Sequence, residues 1–191
     1  MGKCECGKDI APAGRGRIPR YCSNACRQRA YRARRAAGPQ ALPERMTSRA
    51  RWTRAAGKRP LTVRGRPASS TNSWTWTTFD QVQDGPGDGY GIMLGGGLAC
   101  WDLDHCIDDA GALAAWAADL LAGIPDPVWA EVSLSGRGLH IFVEAPEARG
   151  RRDGNIEYYS RARFIRVTGN PWRKHGRETA RRSRRGTPRA A

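Results

Sequence analysis

The clearest pattern lies between residues 89 and 168, where short apolar and polar runs alternate between glycine-rich and charged turns. GYGIMLGGG (89–97) and LACWDLD (98–104) each read as a strand, and their spacing predicts a hairpin. VWAEVSLS and LHIFVEA flank Gly136-Arg137-Gly138 as a second hairpin, and NIEYY and RFIRVTG flank a polar connection as a third. Between the first two hairpins, Leu113, Trp116, Ala117, Leu120 and Leu121 recur at helical spacing. Asp108 or Asp109 is placed to cap that helix, and Gly123 with Pro125 to stop it. These elements predict an α+β fold, an antiparallel sheet with helices on one face.

Upstream, residues 49–79 read as a helical start, a short extended piece and a Ser/Thr-rich loop that ends in Trp74 and Trp76. Packing is the better expectation for this aromatic pair than stacking on bases. The expected organisation is a cysteine module at 1–37, a linker at 38–48, a core at 49–172, and a charged tail at 173–191 too poor in apolar residues to order itself.

Composition adds a partner. A chain of 191 residues can bury a real core. Its apolar runs are all far shorter than the roughly 18 residues of a membrane span. The start MGKCECGKD is no secretory leader, so a soluble, cytoplasmic protein without a membrane partner is expected. In that compartment the six cysteines are expected as metal ligands or buried thiols. The net charge of +15 is segregated: residues 1–66 and 149–191 are strongly basic, and 67–148 are acidic. Two basic flanks around an acidic centre point to a polyanionic partner, with a cation in the middle.

Cys4 and Cys6 stand one residue apart, Cys22 and Cys26 three apart, and two such pairs can close a tetrahedral zinc site. Ser23 is a good N-cap, so Cys22 and Cys26 fall across the first turn of a helix that carries Arg27, Arg29, Arg32, Arg34 and Arg35, a surface suited to phosphates. RYCSNACRQRAYRARR resembles the Arg-rich Cys-pair module at the N-termini of many actinobacterial and phage proteins, whose first half is usually Cys-x-x-Cys.

In LACWDLDHC, Asp102 and Asp104 are two apart on a strand, so both side chains leave one face while Trp101 and Leu103 enter a core. Neighbouring carboxylates repel unless a cation bridges them or one is protonated, and a hard divalent ion suits their oxygens. Downstream, Ser135, Gly136 and Gly138 form a tight turn before His140, where backbone amides and an imidazole can meet an anion. Glu157 follows, flanked by Ile156 and Tyr158 and facing the other way from both. Cys100 and Cys106, beside His105, are expected as buried thiols rather than a second zinc site.

The order of these elements resembles the three-motif core of the archaeo-eukaryotic primase superfamily, closest to the primase-polymerase branch of phages and plasmids. KRPLT, GRPASSTNSWTWTTF and DGYGIMLGGG resemble the lead-in of that branch, and the likeness covers roughly residues 50–172. It implies an RRM-like sheet and template-directed DNA priming or polymerisation in phage or plasmid replication, within a bacterium or an infected host. It assigns Asp102, Asp104 and Glu157 as ligands of Mg²⁺ or Mn²⁺, and Ser135 and His140 as contacts to nucleotide phosphates, with Gly136 and Gly138 shaping that turn. Lys58 matches a recurring lysine without an assigned role. The implied partners are single-stranded DNA template and primer, nucleoside triphosphates, and a separate helicase. Two alternatives use the same residues: a metal-dependent nuclease, and a non-catalytic zinc-containing regulator that binds nucleic acid.

Overall fold

The computed structural model describes residues 2–4, 6–10, 21–26, 28–29, 42–109 and 111–172. Arg27, Arg32, Arg34, Arg35 and the tail beyond Trp172 lie outside them. The N-terminal module contributes two short antiparallel strands, β1 (Gly2–Lys3) and β2 (Asp9–Ile10), and helical residues at 24–26 and 28–29.

The remaining elements build two antiparallel sheets, compatible with the α+β expectation but not with the single sheet it named. One has the order β11-β5-β3-β4, from β3 (Trp52–Ala56), β4 (Arg59–Leu61), β5 (Gly89–Met93) and β11 (Phe164–Val167). The other has the order β7-β8-β6-β10-β9, from β6 (Leu98–Leu103), β7 (Trp129–Val132), β8 (Leu139–Glu144), β9 (Arg151–Asp153) and β10 (Ile156–Tyr159). Two helices complete the core, α1 (Glu44–Thr47) and α2 (Ala115–Ala122).

Only the middle expected hairpin forms, with β7 beside β8. The chain leaves one sheet for the other between β5 and β6, and again between β10 and β11, so β5 pairs with β11 and β6 with β10. Gly95, Gly96 and Gly97, all at positive φ, make the first switch through a turn in which Gly95 and Leu98 exchange backbone hydrogen bonds. Alternation fixes which face a residue takes, but pairing partners are set by the whole sheet.

One apolar cluster joins the sheets, with Trp52, Ile92 and Ile165 from one meeting Leu98, Cys100 and Phe142 from the other. A second packs α2 on the opposite face of the five-stranded sheet, through Leu103, Leu139, Ile141 and Ala117 with Trp101 and Trp116. Two expected boundaries move. Leu42 and Met46, in the stretch read as linker, belong to the first cluster. The helix begins at Ala115, because Asp108 instead accepts the Ala112 amide on Oδ1 and closes a turn ahead of it. Arg54, buried in β3, donates to the carbonyls of Val82, Gly85 and Pro86 and so pins the DGPGDG turn.

Candidate functional site

One residue from each strand of the five-stranded sheet lines up in a single row: Arg152 on β9, Glu157 on β10, Asp102 on β6, His140 on β8 and Glu131 on β7. Directly paired residues of antiparallel strands share a face, with Cα atoms about 4.5–5.5 Å apart. Residues far apart in sequence thus become lateral neighbours.

Asp102 stands at the centre, its Oδ1 3.7 Å from His140 Nε2. Burial pushes its carboxyl above the ordinary range; Asp104 and Glu157 push it further, while His140 and Lys58 pull it back. Asp104 lies just past the end of β6, its amide donating to the Asn155 carbonyl. Trp101 and Leu103 enter the α2-facing cluster, as expected.

Behind His140 stands Glu131, fully buried, a residue that sequence reasoning passed over. Its Oε1 accepts from the Thr168 amide at 3.0 Å and lies 3.1 Å from His140 Nδ1; its Oε2 accepts from Trp129 Nε1 and the Gly169 amide at 3.0 Å each. A carboxylate surrounded this way makes Nδ1 the donor, which leaves Nε2 directed at Asp102. Replacing Glu131 by Gln sets an amide N–H against these donors. It is expected to cost about 1–3 kcal/mol in a denaturant titration, the penalty for a buried unsatisfied group. The available signal was a charged residue inside the apolar run WAEV.

Glu157 is committed elsewhere. Its oxygens meet Arg152 Nε at 3.1 Å, Arg163 at 3.3 Å and the Tyr159 hydroxyl, which donates at 2.8 Å. Among the described residues no set of three acidic or histidine groups converges to metal-ligating distance at this site. The structure makes Asp102 and Glu157 neighbours and brings Asp104 close enough to act on Asp102, without closing a three-carboxylate cage.

A cleft of about 430 Å³ opens over Asp102 and His140. Lys58, Arg163 and Arg166 line it from the four-stranded sheet and its connections, so cations face the acidic row. The Arg166 side chain is nine-tenths buried beside Asp88, and its Nε has no hydrogen-bond partner. Ser135 lies outside the cleft lining, with its hydroxyl 3.1 Å from that of Ser133. Gly136, at φ +75°, turns the chain there with open space around it. Gly138 is needed for another reason: a Cβ there would lie 2.6 Å from the Leu103 carbonyl oxygen. Gly138→Ala is therefore expected to lower stability by about 1–3 kcal/mol, read by thermal or urea melting, because β8 must shift away from β6.

In the N-terminal module the four sulfurs of Cys4, Cys6, Cys22 and Cys26 lie within 4.8 Å of one another, Cys6 and Cys26 at 3.5 and 3.4 Å from Cys22. Tetrahedral zinc with bonds of about 2.3 Å requires sulfurs roughly 3.8 Å apart, so these thiols can hold a metal ion such as zinc. A turn in which the Gly7 amide donates to the Cys4 carbonyl shapes the first pair, and Ser23 Oγ accepts the Cys26 amide at the helix start as expected. The amides of Cys6 and Cys22 pull the Cys4 thiol down to about 6, whereas bonding to Cys26 and Cys6 pushes Cys22 up to about 12. A cation is what would let all four ionise together. Cys100 and Cys106 are buried, and burial raises both thiols, Cys106 to about 11. His105 is exposed and joins no metal-ligating group among the described residues.

No family model matches the chain, and no curated protein does. Among the described residues no helix is long and apolar enough to cross a membrane.

Proposed function

We propose that the protein transfers nucleotides to a nucleic-acid 3′-hydroxyl under the direction of a template, the activity implied by its resemblance to primase-polymerases. The observation that carries this reading is the facing of charges across one cleft: Asp102, close enough to feel the charge of Asp104, on one side, and Lys58, Arg163 and Arg166 on the other. That is the complement of a divalent ion carrying a triphosphate. Mg²⁺ is commonly held by one or two carboxylates plus substrate phosphates, and Asp102 and Asp104 fit that donor set. When bound, the ion supplies electrostatic stabilisation of the attacking and leaving oxygens.

Each remaining task falls to the chain's own groups. Lys58, Arg163 and Arg166 bind the phosphate oxygens. As the 3′-oxygen attacks the α-phosphorus its proton passes to solvent and the bond to the β-phosphate breaks, and His140, its Nδ1–H donated to Glu131, donates Nε2–H in its protonated form to the departing pyrophosphate. Glu157, expected as a third metal ligand, holds Arg152 and Arg163 beside the reacting groups. The zinc module and its arginines grip template and primer. The RRM-like comparison rests on the five-stranded antiparallel sheet packed on one face by α2. The engagement of Glu157 by two arginines is the feature that favours the non-catalytic alternative.

The test is equilibrium nucleotide binding. His140→Ala is expected to weaken triphosphate binding on the order of 10- to 100-fold, the worth of a hydrogen bond to a charged group, and to leave single-strand binding within twofold. Equal loss of both, or loss of neither, would overturn the assignment.

A further inference from the structure

Trp74 is 95% exposed, against 40% for Val63 and 48% for Leu134, the other exposed large apolar side chains among the described residues. Among the described residues no ring or cation stacks on it. Trp76, two residues on, packs as expected: its Nε1 donates to the Ser69 carbonyl, and the Arg51 guanidinium lies 4.9 Å from the centre of its ring. The loop is held firmly even so. Asn72 Oδ1 accepts the Trp74 amide, Thr75 Oγ1 accepts the Ser69 amide, and the Thr77 and Trp52 backbones exchange hydrogen bonds at its base. The indole is therefore displayed on a braced turn.

We infer that Trp74 is a stacking platform for an unpaired base of a single nucleic-acid strand entering along the rim of the cleft. Three observations select this occupant. The same loop reaches the cleft, since Ala68 and Ser70 line it beside Lys58 and Pro60. The loop belongs to a basic stretch of chain: residues 45–79 include eight Arg and Lys and no Asp or Glu, Lys58, Arg59, Arg64 and Arg66 are all exposed, and Lys58 lines the same cleft. The flanking side chains Thr71, Asn72, Ser73 and Thr75 are small and polar, so the indole stands alone rather than inside an apolar patch of the kind that marks a protein interface. A solitary aromatic face within a cationic, hydroxyl-rich surface matches binding of a single strand by stacking plus phosphate attraction. The inference deepens the nucleotide-transfer reading, on which it depends only for the strand's role as template.

The test is binding of the full-length protein to a fluorescent oligothymidylate without nucleotide or divalent metal, so the outcome is independent of whether the protein is catalytic. Trp74→Ala is expected to weaken binding on the order of 5- to 150-fold, the range measured for loss of one base-aromatic stack, while Trp74→Phe retains most of the affinity. The dependence on salt should be the same in all three proteins, because no phosphate contact is lost. On an abasic oligonucleotide of equal length the difference between native protein and Trp74→Ala should vanish. Affinities within twofold on oligothymidylate, or an equal loss on the abasic strand, would overturn the inference. The side chain is solvent-exposed, so unchanged thermal melting is expected and serves as the control for folding.

Discussion

Removal of zinc is expected to unfold the cysteine module while the rest of the protein stays folded. Structural zinc contributes on the order of 10–16 kcal/mol of apparent binding in small finger peptides, far more than two short strands and a helical turn can supply. Among the described residues both apolar clusters are drawn wholly from residues 42–172, so the core is expected to stand without the metal. Elemental analysis should give one zinc per chain, and chelation should abolish the protection of Cys4, Cys6, Cys22 and Cys26 amides from exchange while leaving those of β6 and β8 unchanged. Zinc retained by a Cys22→Ser, Cys26→Ser double variant would contradict the assignment.

The second large effect concerns Asp102. Asp102→Asn keeps the shape and removes the charge, and nucleotide incorporation is expected to fall on the order of 100- to 1,000-fold, as when one preorganised electrostatic group is lost from an active site. Stability should move the other way. Burial, Asp104 and Glu157 all raise the Asp102 carboxyl, so the folded state holds its proton to higher pH than the unfolded state. The stability associated with this proton is complete below the unfolded pKa and is lost as pH rises through the folded one. In metal-free buffer, then, Asp102→Asn and the native protein should melt alike at low pH, and the variant should become the more stable as pH rises above the ordinary carboxylate range. Denaturant titrations at a series of pH values read this gap. Loss of stability with activity retained would make Asp102 a structural residue.

Some of this was legible from local pattern alone. The alternation in LACWDLD placed Asp102 opposite Trp101 and Leu103, and Ser23 capped the turn that carries Cys26. Both depend on neighbours in sequence. What depends on distant partners was not legible. The glycine run at 95–97 looks like a hairpin turn, yet it carries the chain from one sheet to the other. Glu157 reads as a free carboxylate until Arg152 and Arg163 are found against it, one by register with β9 and the other across the bend after β10. Glu131 is one acidic residue in an apolar run, and its meaning comes from the β8 histidine and from two amides just beyond β11. Trp74 and Trp76 have the same chemistry and nearly the same position, and only packing separates the half-buried anchor from the exposed ring.

The most direct measurement is incorporation of labelled nucleotides by the purified full-length protein on a primed single-stranded template, with Mn²⁺ or Mg²⁺. Products should lengthen one nucleotide at a time, follow the template base and disappear with Asp102→Asn. No incorporation with either metal on any template, or undiminished incorporation by Asp102→Asn, would contradict nucleotide transfer at this cleft; shortening of the strands in its place would show a nuclease.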